Sequence, residues 1–231
     1  MSPYSIHHPR LLDLLRRDFL GLDTRYHLAD GRVTRRHYLD SAASTLALDC
    51  ARAIADELLR HYANTHSTLH FSARIASHAY DWAHEQVLRF VQADPGRHMI
   101  FFAGSGCTAP LNRLARVLAA RRPERNVVLV SLMEHHANDL PHRKHAGKVV
   151  PIPLTGVGRT LGAVDPTTLE RLLEQYRGQV NYVAVAAASN VTGIANPVHD
   201  LAALAHAHGA WMIVDASQYL AHAPLPISDT G

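Results

Sequence analysis

The sequence predicts an α/β protein built on a mostly parallel sheet, on three observations. Short strand-like runs recur at Val127–Ser131, Lys148–Pro153, Tyr182–Ala187 and Trp211–Val214, the last a continuous, partly β-branched apolar run suited to a strand buried on both faces. Helix-periodic segments separate them, which implies parallel strands joined by right-handed crossovers. The runs also give way to small, polar or charged residues at the ends where open α/β sheets bind ligands.

The elements follow in order. Pro9–Leu20 carries Leu11, Leu12, Leu14, Leu15, Phe19 and Leu20 at helical spacing, with Gly21 as its stop. Leu22–Arg36 is polar and irregular and reads as a loop. His37–Leu39 leads, extended, into a turn of small residues at Asp40–Ser44. Leu48–Tyr62 and Ser72–Val91 read as helices, the second closed by Asp94-Pro95-Gly96, with a polar loop at Ala63–His70 between them. Met99–Ala103 reads as a strand that feeds Gly104-Ser105-Gly106-Cys107-Thr108 and a helix through Arg121. After the Val127–Ser131 strand come the polar Glu134–Asn138 loop, a short helix, the Lys148–Pro153 strand and a Gly-rich turn. Asp165 caps the next helix with Pro166 at its first position and Leu169, Leu172, Leu173 and Tyr176 along it. Pro197–His208 is a helix closed by Gly209.

Composition narrows the function. The chain has 231 residues, 47% hydrophobic and 19% charged, with a formal net charge of +3, which suits a globular protein of one large domain or one plus part of a second. Its arginines are scattered, and no basic run is interleaved with aromatics, so nucleic acid is not an expected partner. Cys50 and Cys107 are the only cysteines and define no disulfide framework; Cys50 reads as a buried helix residue. The 18 histidines fit no metal-ligand spacing and read mostly as surface or capping residues, so no metal is expected. The N-terminus lacks an apolar signal core and no stretch reaches membrane-spanning length, which points to a cytoplasmic enzyme with no membrane partner.

Chemistry concentrates at the strand ends. Gly104 to Thr108 opens a helix, where glycines admit close backbone approach and unpaired N–H groups face a phosphate. The same residues would also serve a tight turn without a ligand, and Gly104-x-Gly106-x-x-Ala109 matches a dinucleotide fingerprint loosely, with Glu134 as a late acidic partner. His135 could stack on an aromatic ring, move protons, or be a surface histidine. Asn190 could donate to a phenolate-like oxygen or simply form a turn. Asp215 ends an oily run, and a carboxylate there is costly unless a cation or donor meets it; a helix cap is the plainer alternative. Gln218 completes the set.

In combination these residues resemble the class V, cysteine-desulfurase-like branch of the fold type I pyridoxal-phosphate (PLP) enzymes. The matching motifs are Tyr38-Leu39-Asp40-Ser41-Ala42-Ala43, Tyr62-Ala63-Asn64-Thr65-His66-Ser67, Gly104-Ser105-Gly106-Cys107-Thr108, Met133-Glu134-His135-His136-Ala137-Asn138, Ser189-Asn190-Val191-Thr192-Gly193 and Val214-Asp215-Ala216-Ser217-Gln218. The resemblance implies a three-layer αβα large domain over residues 38–231, truncated, preceded by an N-terminal helix and loop over 1–37. Gly106, Cys107 and Thr108 would hold the cofactor's phosphate, and His135 would stack on its pyridine ring. Asn190 and Gln218 would lie near the phenolic oxygen. Asp215 would stay ionised against the protonated ring nitrogen, since a pyridinium withdraws electrons from the substrate better than a neutral ring. His135 and Asp215 would be the catalytic pair.

The family's Schiff-base lysine stands in a Ser-x-His-Lys context after the Asp-x-x-Gln strand, whereas this sequence ends at Ser228-Asp229-Thr230-Gly231. Its only lysines are Lys144 and Lys148, neither in that context, and the family's small C-terminal domain is expected to be absent from it. The chain is therefore expected to be a fragment or truncation, inactive alone, with an open sheet edge prone to aggregation. Cys107 is expected to serve through its backbone N–H and not as a nucleophile. The implied activity is that of a cysteine desulfurase or selenocysteine lyase acting on a small-molecule amino-acid substrate, homodimeric at full length. Another class V activity (aminotransferase, epimerase or lyase), a non-catalytic PLP- or phosphate-binding fragment, and a nicotinamide-dinucleotide domain are the alternatives.

Overall fold

The computed structural model describes residues 9–104, 106–156 and 162–227. Ser105, part of the Gly-rich turn (157–161) and Ser228–Gly231 lie outside them. The chain divides into two compact units, Met1–Ala83 and His84–Gly231.

In the first unit, helix α1 (Pro9–Asp18) and α2 (Asp49–Arg60) form as their periodicity predicts, and α3 (Phe71–Phe90) begins there. The segment expected to be a loop holds an antiparallel hairpin, β1 (Arg25–His27) with β2 (Val33–Arg35). Asp30-Gly31 closes it: Gly31 takes φ +83°, and Asp30 Oδ1 accepts from Arg32 N–H at 3.0 Å. Aspartate followed by glycine is a strong hairpin signal. The expectation that Cys50 is buried is also corrected. No residue of α2 is buried, and the exposed Cys50 bonds Asp18, backbone N–H to Oδ1 at 3.1 Å and thiol to Oδ2 at 2.8 Å. Asp18 thereby satisfies a backbone donor in the first turn of α2.

The second unit is a parallel sheet between two helical layers. Strands β3 (Val127–Ser131), β4 (Lys148–Ile152), β5 (Val180–Ala186) and β6 (Trp211–Asp215) pair in the order β4-β3-β5-β6. Side chains alternate as strand geometry requires. Val127, Leu129, Val183 and Val185 face α6 (Pro166–Gln175) and α7 (Val198–Ala207), meeting Leu169, Leu172, Leu173 and Leu201. Val128, Val130, Tyr182, Ala184 and Ile213 face Leu111 of α4 (Thr108–Arg121). A short helix α5 (Leu140–His145) carries the chain from β3 to β4. The expected cap holds: Asp165 Oδ2 accepts from Thr168 N–H at 3.0 Å, with Pro166 opening α6.

Two strand expectations are corrected. The run at 99–103 is not in the sheet; Met99 is 74% exposed and Phe101 77%. An apolar, β-favouring run becomes a strand only where a neighbour completes its ladder, and among the described residues β6 pairs with β5 alone. For the same reason β6 is not buried throughout: Trp211, Met212 and Val214 are only half-buried, beside an apolar hollow of about 460 Å³ lined by Cys107, Leu111, Leu114, Trp211 and Ile213 among others. The strand order reverses between β3 and β5, which leaves a crevice at their carboxyl ends.

Candidate functional site

Four chain segments reach this carboxyl edge. The first is the glycine turn before α4. Gly104 takes φ +101° and Gly106 φ +68°, values that L side chains rarely adopt. No atom lies within 4 Å of where a Cβ would stand on either, so the space over the turn is open. Cys107 is the residue before the 14-residue α4 and makes no side-chain cap; the N–H groups of Thr108 and Ala109 open the helix, and Pro110 carries none.

The second is β6. Its last residue, Asp215, is buried at 7% exposure. Oδ1 accepts from Ser217 N–H at 3.0 Å and Ser217 Oγ–H at 2.6 Å, an Asx-type turn. The cap alternative is thus partly met, by a turn rather than a helix. The Cys107 thiol interacts with Ser217 and Asp215, so the end of the glycine turn and the carboxylate adjoin. Burial, with the Asp215 charge, raises the Cys107 thiol above its ordinary value although Ser217 opposes this. A thiol so raised is a poor nucleophile. Gln218, half-buried, precedes a single 3-10 turn at Tyr219–Ala221.

The third is the turn after β3. The Nδ1 of His135 accepts from Ala137 N–H at 3.1 Å and caps a 3-10 turn at His136–Asn138. The neutral ring therefore carries its proton on Nε2, and the exposed ring is oriented from behind. The fourth is the turn after β5. Ser189 is buried, and its Oγ accepts from Val191 N–H and Thr192 N–H, each at 3.2 Å, which leaves Asn190 exposed at the tip. The structure thus draws Cys107 to Asp215 and places His135 and Asn190 on neighbouring strand ends.

Sequence reasoning missed the buried polar group beneath these turns. Glu134 Oε1 accepts from Ser131 Oγ–H and, at 2.7 Å, from Ala186 N–H. Oε2 accepts from Asn138 Nδ2 at 2.5 Å. Asn138 Oδ1 lies 3.0 Å from His142 Nε2, and His142 Nδ1 lies 3.0 Å from Tyr182 Oη. His142 is wholly buried, which corrects its reading as a surface or capping residue. Burial is the largest cause in each of two shifts: it pushes Glu134 up to about 7, against three donors and with the Asp215 charge, and pushes His142 down to about 4. The one visible signal is spacing, since Glu134, Asn138 and His142 recur every fourth residue. Among the described residues no three His, Cys, Asp or Glu side chains converge as a metal site would require, and no helix is long and apolar enough to cross a membrane.

A sequence model of the family described as aminotransferase class-V matches residues 37–231. A probable cysteine desulfurase of Halalkalibacterium halodurans is 31% identical over 197 residues, 84% of this chain and 47% of the relative. A probable cysteine desulfurase of Vibrio cholerae is 34% identical over 191 residues, 80% of this chain and 45% of the relative. The crystal structure of the cysteine desulfurase CsdA from Escherichia coli superposes with TM-score 0.63 at 28% identity, covering 83% of this chain and 47% of that one. The chain spans about half the length of the curated relatives it matches.

Proposed function

The chain belongs to the aminotransferase class-V family, and from that premise we propose that it is the PLP-binding half of an amino-acid-processing enzyme, most like a cysteine desulfurase. One observation carries the reading: the buried carboxylate of Asp215 adjoins Cys107 at the mouth of α4. A site for a cation and a site for a phosphate lie side by side at one edge of the sheet.

The residues present fit the cofactor. The open glycine turn and the first N–H groups of α4, with the Thr108 hydroxyl, would hold a phosphate by charge-assisted hydrogen bonds. Asp215, fixed by Ser217, would keep a proton on a ring nitrogen, because a carboxylate in a desolvated site favours a cationic partner. His135, its plane set by Ala137 N–H, would cover one ring face. Asn190 and Gln218 would donate to the ring's phenolic oxygen. When bound, PLP supplies an electron sink for negative charge at the substrate's α-carbon.

Support for binding without turnover comes from the lysines. Lys148 Nζ sits 3.0 Å from Tyr176 Oη, and Lys144 lies in the last turn of α5. Neither occupies a motif position for a covalent link, so the 231 residues bind PLP reversibly and do not process an amino acid by themselves. The substrate is an amino acid, and the full-length form is a homodimer in the cytoplasm. Titration with PLP, followed by its absorbance with and without borohydride, tests this. Saturable binding without a borohydride-fixed adduct is expected. Failure to bind PLP, or preferential binding of NAD, overturns it.

A further inference from the structure

Beneath the four turns runs a chain of hydrogen bonds whose direction is set from one end. Once Glu134 is ionised, above about pH 7, its carboxylate only accepts, so Asn138 must then present its Nδ2 to Glu134 and its Oδ1 to His142. His142, neutral because burial holds it down to about 4, must then donate from Nε2 and accept at Nδ1 from the Tyr182 hydroxyl. Tyr182 can both donate and accept, so it follows the direction and does not choose it. At the other end Glu134 Oε1 takes Ala186 N–H at 2.7 Å. On that side of β5, the pairing with β3 runs out after Val130↔Ala184, and a side chain continues the ladder where the backbone of β3 has turned away. One carboxylate therefore joins the end of β3, the end of β5 and the His135 turn.

We propose that Glu134 is a positioning residue: it polarises the Asn138–His142–Tyr182 relay and locks the His135 turn onto the end of β5, so that the imidazole stands over the ligand crevice. Its bearing on a bound ligand rests on the PLP reading above; its bearing on the relay does not. The charged and titratable groups facing it are Asp215 from β6, His142 through Asn138, and Asp139 with Arg143, which line a hollow of about 220 Å³ beside it.

The test is nitrogen-15 NMR of the histidine rings in the intact chain above pH 7, without ligand. Wild type is expected to show His142 as the Nε2–H tautomer. In Glu134→Gln the new amide offers a donor to Asn138, which turns over, and His142 switches to Nδ1–H. Tyr182→Phe, which removes the far end, keeps the wild-type tautomer. Amide exchange at Ala186 quickens at least tenfold in Glu134→Ala and stays within a few-fold of wild type in Tyr182→Phe. A wild-type His142 protonated at Nδ1, or loss of the Nε2–H tautomer in Tyr182→Phe, overturns the proposal even if Glu134→Gln fails to fold. PLP titration of the same samples separates the two readings. A wild type that binds no PLP refutes the functional reading and leaves the relay assignment to the NMR result. A Glu134→Ala chain that binds PLP as wild type does, with His135 unmoved in its spectrum, overturns the positioning role.

Discussion

Replacing Glu134 or His142 separately exposes two opposing pH dependences of stability that offset each other in the wild type. Glu134 is raised from 4.5 to about 7. Its folded form holds a proton that the unfolded form has released, so its contribution is fully present below pH 4.5 and is lost as pH rises through about 7. His142 is lowered from 6.5 to about 4. Its contribution is present above pH 6.5 and is lost as pH falls through about 4. Each displacement corresponds to on the order of 3 kcal/mol, with opposite sign over nearly the same range. In urea titrations followed by circular dichroism across pH 4.5–7, Glu134→Gln should leave the histidine slope alone. Stability then rises with pH by about 3 kcal/mol. His142→Gln should leave the carboxyl slope alone, and stability falls by a similar amount. Wild type should lie flatter than either. Profiles for both variants parallel to wild type would refute the burial argument for this pair.

Further predictions concern the site's supports. Cys107→Ser should leave PLP affinity within a few-fold of wild type, because the residue serves through its backbone; loss of binding, measured by equilibrium dialysis, would assign the thiol a role. Asp165→Ala removes the cap that Thr168 N–H donates to and should cost about 1 kcal/mol in urea unfolding. Leu129→Ala, at a wholly buried position between β4 and β5, should cost roughly 2–5 kcal/mol, and no measurable loss would mean that the sheet is not the core of its unit.

The sheet was legible because its strands alternate with helices and carry their apolar residues at the matching periods. The 99–103 run shows the limit of that reasoning: its residues favour a strand, but a ladder also needs a neighbour, which no local pattern supplies. The hairpin at Arg25–Arg35 was missed because its strands are three residues long and mostly exposed, so they lack apolar alternation; only Asp30-Gly31 marked it. The juxtaposition of Cys107 and Asp215 followed from motif order along strand ends. The Glu134 relay did not, because its every-fourth-residue spacing gains meaning only through the distant Tyr182 and Ala186, and burial, invisible in a His-rich composition, is what distinguishes His142 from its exposed neighbours. Cys50 failed the other way: helical spacing suggested a buried face, and α2 buries none.

The central claim is that Asp215 recognises a protonated ring nitrogen. The direct measurement compares the affinity of the chain for PLP with that for its 1-deaza analogue, in which a C–H replaces that nitrogen, in wild type and in Asp215→Ala. Wild type should prefer PLP by roughly ten- to a hundredfold, the value of a hydrogen bond between charged groups, and the variant should bind the two alike. Equal wild-type affinities, or a preference that survives in Asp215→Ala, would contradict the account.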